Sequence, residues 1–198
     1  MSAMQRFLRL MRPLPGLAAA VFLASCGGSG LPTISVGEAN TYVSSGYLLA
    51  PGDRIMVTVF DEPNLTGEYS VGTDGRLAVP LIDPIQIQGR TVDDIAADLA
   101  ASLVEGGYVL EPRVSVEITT HRPIYVLGEV NQPGEYPYTG DLTYMQAIAK
   151  AGGFTPRADT RRVVLQRPSW PEGRMVPLES TPLMVAPGDT LIVRESLF

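Results

Sequence analysis

Four residue types occur once each in this 198-residue chain: cysteine, histidine, tryptophan and lysine. A lone cysteine, Cys26, excludes an internal disulfide and a thiolate metal cage. A lone histidine, His121, leaves any Ser-His-Asp arrangement with one base, and no Gly-x-Ser-x-Gly elbow accompanies it. His121 stands in a proline-containing connector, where a solvated linker side chain is the plain expectation. No apolar run reaches the ~20 residues that a hydrocarbon core demands. Positive charge is short as well, with 15 basic against 21 acidic residues. A duplex binder needs a basic face to displace counterions, so the balance argues against nucleic acid as a partner.

What is present begins at the N-terminus. Arg6, Arg9 and Arg12 precede a short apolar stretch over 14–24, interrupted by Pro15 and Gly16. Positive flank, short apolar centre and small residues describe an export signal over 1–25. Leu23-Ala24-Ser25-Cys26 resembles the bacterial lipobox, which implies cleavage before Cys26 and diacylglycerol on its sulfur. Gly27, in place of aspartate, implies outer-membrane sorting in such lipoproteins. Loss of the three signal arginines leaves 12 basic against 21 acidic residues, a net of −9. The several acyl chains of a lipoprotein meet the two-signal requirement for stable anchoring. Residues 26–46, which run on from Cys26 as Gly27-Gly28-Ser29-Gly30-Leu31-Pro32, read as a flexible tether. About 20 such residues wander about 25 Å as a random coil.

Two small α+β units are expected beyond the tether, over 47–120 and 121–198. In the first, Pro51-Gly52-Asp53 turns the chain into a strand with Ile55, Val57 and Val59 on one face. Short strands over 69–71, 76–80 and 85–88 follow, with a hairpin turn at Asp74-Gly75. Thr91 and Asp94 form a capping-box pattern for a helix whose stripe is Val92, Ile95, Leu99 and Leu103. Gly106-Gly107 stops it, and 113–119 alternates as a half-buried strand. In the second unit, a strand over 124–128 precedes an Asn131-Gln132-Pro133-Gly134 turn. Thr143 and Gln146 start a helix that buries Tyr144, Ala147, Ile148 and Ala151. Strands over 162–166, 175–177 and 191–193 complete it. Ala-Pro-Gly-Asp occurs at 50–53 and again at 186–189. One turn solution used twice accounts for this better than a duplicated block, because the flanks do not align.

Catalytic equipment is sparse. Asp61 and Glu62 are adjacent in an extended segment, so they point apart and read as loop charge rather than paired acid and nucleophile. Ala151-Gly152-Gly153 lies at a helix C-terminus, whose dipole repels phosphate. No cofactor and no metal are called for. Tyr125, Tyr136, Tyr138 and Tyr144 cluster in the second unit. Filling a small core is their plainer role, and stacking on a sugar face is the functional one, for which Tyr125, Tyr136 and Tyr138 are the candidates. A terminal Phe198 invites comparison with membrane barrels, but Ser196 and Arg194 make the would-be lipid face polar.

Several phrases together resemble one family. The 47–57 segment, Gly72-Thr73-Asp74-Gly75-Arg76-Leu77-Ala78-Val79-Pro80 and Gly89-Arg90-Thr91 resemble the polysaccharide biosynthesis/export domain. Gly128-Glu129-Val130-Asn131-Gln132-Pro133-Gly134-Glu135-Tyr136, followed by Ala151-Gly152-Gly153-Phe154-Thr155, is similar to the SLBB β-grasp domain. The resemblance implies a lipid-anchored, ring-forming periplasmic subunit of an exopolysaccharide or capsule translocon that docks on an inner-membrane chain-length regulator. Larger members carry a further SLBB repeat and a pore helix. A chain that stops at Phe198 is expected to work with a separate outer-membrane porin. The alternative expectation is a monomeric lipid-anchored glycan-binding or signalling module. An envelope hydrolase, with His121 as its best base, is the third.

Overall fold

The segment expected to wander as a tether is instead ordered over its second half. Ser35 accepts a hydrogen bond from the Glu38 amide at 3.1 Å and starts helix α1 (Val36–Ser44). Ile34, Val36 and Ala39 are buried. Thr33 pairs in parallel with Met175, fixed by Ile34 N–H to Met175 O and Met175 N–H to Pro32 O at 3.0 and 2.8 Å. The breakers of 27–32 favour coil; the apolar spacing at 34, 36 and 39 overrides them from there on. A computed structural model describes residues 30–44 and 46–196 of the chain. The export signal, Cys26 and Phe198 lie outside the described residues.

The first lobe spans 47–120. Strand β1 (Arg54–Val59) buries Ile55, Val57 and Val59 on one face, as its alternation requires. It is the centre of an antiparallel sheet, flanked by β2 (Gly67–Ser70) on one side. Strands β3 (Arg76–Leu77) and β4 (Ile85–Gln86) pair only with each other. The Asp74-Gly75 turn therefore reverses the chain without joining β2 to β3 in one sheet. Helix α2 (Val92–Glu105) has its reciprocal capping box from Thr91 and Asp94. Ile95, Leu99 and Leu103 are each at most 1% exposed. Three such side chains contribute about 1.5–3 kcal/mol each, against about 1 kcal/mol for a cap, so burial holds the helix and the cap sets where it starts. β5 (Val114–Thr120) pairs antiparallel with the free side of β1 and closes the three-stranded sheet β2-β1-β5.

The second lobe takes up 121–196 and also α1. β6 (Ile124–Gly128) pairs antiparallel with β7 (Gly134–Tyr136). Helix α3 (Tyr144–Lys150) carries the Thr143–Gln146 capping box and buries Tyr144, Ala147 and Ile148. β8 (Arg162–Gln166) and β9 (Arg174–Pro177) form a hairpin, and β10 (Thr190–Val193) then enters between β6 and β8. Its pairing with β6 is parallel and with β8 antiparallel, giving the sheet order β7-β6-β10-β8-β9. The chain is α+β. Two separate cores divide it: one draws only on residues 47–118, and the other takes Ile34, Val36 and Ala39 together with residues from 124 onward.

Candidate functional site

The two Ala-Pro-Gly-Asp phrases fold alike and meet at the junction of the lobes. In each, the aspartate amide donates to the alanine carbonyl three residues back, Asp53 to Ala50 and Asp189 to Ala186, both at 3.1 Å. In each, the carboxylate accepts the alanine amide at 2.8 Å. Gly52 and Gly188 sit at φ +96° and +85°, where a side chain is strained. Both carboxylates are fully buried.

Their remaining partners differ. Asp53 accepts from the Tyr47 phenol at 2.5 Å and from the Arg122 amide at 3.0 Å. Arg122 Nε lies 3.3 Å from the same oxygen, an ion pair without hydrogen-bond alignment. Another guanidinium nitrogen of Arg122 donates to the Tyr47 oxygen at 3.3 Å. Burial, reinforced by the bond to Asp53, drives the Tyr47 phenol well above its ordinary range. Asp189 instead faces Arg167, and both side chains are wholly buried. Arg167 donates to the carboxylate at 3.2 Å, to Ala39 O in α1 at 2.6 Å and to Met184 O at 3.4 Å. Its guanidinium also lies over Tyr42 and Trp170, 4.6 and 5.1 Å from the ring centres. Desolvation outweighs the arginine and raises the Asp189 carboxyl to about 6. Asn40 adds a second clasp on α1: its amide donates to Pro182 O and its oxygen accepts from Met184 N, both at 2.8 Å.

Between these turns opens a cleft of about 230 Å³, lined among others by Tyr42, Tyr47, His121, Arg122, Tyr138 and Asp141. His121 stands edge-on between Tyr47 and Tyr138, at 4.9 and 5.3 Å between ring centres. It is half-buried rather than solvated as the sequence suggested, because the chain crosses between lobes at this point. Burial lowers its pKa from the usual 6.5, with Asp53 pulling the other way. Burial likewise raises the Tyr138 phenol.

The candidate tyrosines separate. Tyr138 enters the cleft. Tyr136 is paired with Ile124, packs on the core side and donates its hydroxyl to Gln132 O at 2.5 Å. Tyr125 is paired with exposed Glu135 and points from the opposite face of the same sheet. The three therefore do not make one platform. Tyr144 is core, 2% exposed. Asp61 and Glu62 lie in a turn after β1, with Asp61 exposed at φ +62°. Sequence reasoning missed Tyr42, Tyr47, Arg167 and Asp141. The doubled turn phrase was the available signal, since it marks both carboxylates around which these residues gather. Among the described residues no cluster of His, Asp or Glu has the geometry to hold a metal.

The described residues form an α+β protein of two lobes with an aromatic cleft at their junction. The family comparisons make this specific. The model for polysaccharide biosynthesis/export proteins matches residues 41–119, and the SLBB domain model matches 123–179. The chain thus carries a polysaccharide biosynthesis/export domain followed by an SLBB domain. It is 36% identical over 102 residues to the exopolysaccharide production protein ExoF of Rhizobium meliloti, covering 51% of this chain and 24% of that protein. It is 26% identical over 148 residues to the EPS I polysaccharide export outer membrane protein EpsA of Ralstonia nicotianae, covering 61% and 38%. It is 30% identical over 112 residues to the polysialic acid transport protein KpsD of Escherichia coli, covering 56% and 20%. The matches thus span between a fifth and two fifths of these relatives' length.

Proposed function

We propose that the chain is a non-catalytic subunit of a polysaccharide export machine in a bacterial envelope. It is held at the periplasmic face of the outer membrane by lipid on Cys26 and assembles with further copies into a ring through which polymer passes. An inner-membrane chain-length regulator is the docking partner. The observation that carries this reading is the export-domain match followed directly by the SLBB-domain match, together with the similarity to proteins named for polysaccharide production, export and transport. Exposed apolar side chains on the first lobe support assembly. Leu110 is 90% exposed, and Leu81 and Tyr108 flank one surface hollow at the end of α2. A ring needs two different faces on each subunit, and two lobes of different architecture supply them.

The decisive experiment deletes the gene and measures secreted or capsular polysaccharide, with complementation by the parent chain and by Cys26→Ser. Output should fall sharply in the deletion, return with the parent and stay low with the serine variant. Unchanged output in the deletion refutes the reading. The aromatic cleft favours one second reading, a monomeric lipid-anchored glycan-binding module. Native mass measurement separates the two, since only the first gives large closed assemblies.

A further inference from the structure

We propose that the cleft at the lobe junction is a subsite for one neutral pyranose residue of a glycan. The inference rests on the reading that the chain handles polysaccharide, and it adds which sugar chemistry is contacted and where. A pyranose presents apolar C–H faces and a rim of hydroxyls, so its receptor needs aromatic panels with polar atoms at their edges. Tyr42, Tyr47, Tyr138 and His121 supply four rings around about 230 Å³. These panels are held before any ligand arrives. Tyr47 is tied to Asp53, His121 is wedged between Tyr47 and Tyr138, and Tyr42 lies against the guanidinium of Arg167. Rings already fixed lose little freedom on binding.

Charge selects the class of sugar. Arg122 reaches the cleft but is matched by the buried Asp53 carboxylate. The other ionised side chain of the lining is Asp141, exposed at φ +57° and absent from the described ion pairs. A carboxylate accepts hydroxyl hydrogens in pairs and repels a uronate carboxylate. The cleft therefore takes a hexose and discriminates against a uronic acid. One residue of about a dozen non-hydrogen atoms binds weakly, on the order of millimolar.

His121, the only histidine, gives one imidazole signal and reports on the cleft without ambiguity. The purified chain is titrated by NMR with neutral tetrasaccharides of glucose, galactose and mannose, and with a galacturonate tetramer. At least one neutral tetramer should move the His121 signal saturably while the galacturonate tetramer does not. Tyr138→Ala should weaken that binding at least tenfold. Asp141→Asn keeps a residue that tolerates positive φ and so retains the fold. It should weaken neutral-tetramer binding several-fold, since an amide accepts hydroxyl hydrogens less well than a carboxylate, and newly admit the galacturonate tetramer. No response to any neutral tetramer, undiminished binding by Tyr138→Ala, or equal binding of the acidic tetramer by the parent overturns the proposal. Loss of polymer in the deletion strain together with a silent titration would sink the cleft alone. Normal polymer together with intact binding would sink the export reading alone.

Discussion

The same four residues, Ala-Pro-Gly-Asp, close two turns with matching backbone bonds, yet the two aspartates serve different ends. Asp53 holds the wall of a cleft: its partners Tyr47 and Arg122 both line the open space. Asp189 holds helix α1: its partner Arg167 reaches a carbonyl of α1 and is sealed from solvent. Local sequence dictates the turn and spends one carboxylate bond on the alanine amide. What the remaining lone pairs meet is decided by tertiary packing. The comparison separates a structural clasp from a site scaffold within one motif.

Removing each carboxylate breaks the comparison most sharply. Asp189→Ala leaves Arg167 buried without its counter-ion and should cost about 3–5 kcal/mol. Asp53→Ala leaves Arg122 partly open to water, its side chain 19% exposed, and should cost about 1–3 kcal/mol. Urea unfolding of both variants measures this, and equal losses would mean the two turns are equivalent after all. A smaller contrast lies in the glycines. Gly188→Ala and Gly52→Ala each force a side chain into positive φ, about 1–2 kcal/mol. At Gly188 the new carbon would also stand 3.0 Å from Pro168 Cγ, whose ring cannot swing away. At Gly52 it meets the flexible Arg122 chain at 3.4 Å, so Gly188→Ala should melt lower.

The smallest effect is in pH. Burial puts the His121 pKa below 6.5 in the folded state, so the unfolded chain takes up the proton first on acidification. The stability His121 contributes is complete above pH 6.5 and is lost as pH falls through the folded value. Asp189 runs the other way: raised from 3.8 to about 6, it contributes most below 3.8 and loses that contribution as pH rises through 6. His121→Phe keeps a ring between the tyrosines and removes the acid-side loss. Its melting temperature should drop less than the parent's between pH 7.5 and 5, and parallel curves would disprove the assignment.

The regular elements were legible because their signals are local. Alternation marked β1 and β5, and the Thr91 and Thr143 boxes marked both long-predicted helix starts to the residue. The misreadings share one cause, contacts between residues far apart in sequence. Nothing local in 31–44 states that Arg167, 128 positions beyond Ala39, will receive this segment. His121 looked solvated because Tyr47, which covers one side of it, lies in the other lobe. Tyr125 and Tyr136 looked like partners because they are near in sequence, whereas the β6–β7 register assigns them to opposite sides. The Asp74-Gly75 turn was foreseen, but not that β2 and β3 would part company after it.

Because α1 belongs to the second core, the first lobe is a guest inserted into a host. Its way out and its way back pass side by side, at Tyr47 and His121, whose rings touch. No side chain of 47–118 enters the host's core, so the guest keeps an interior of its own. During synthesis α1 must wait, undocked, until the ribosome has delivered Arg167 and Asp189, while the guest already has every residue its own interior needs. An engineer exchanging the guest would have to supply new partners for Arg122 and His121 while leaving the host's core as it is.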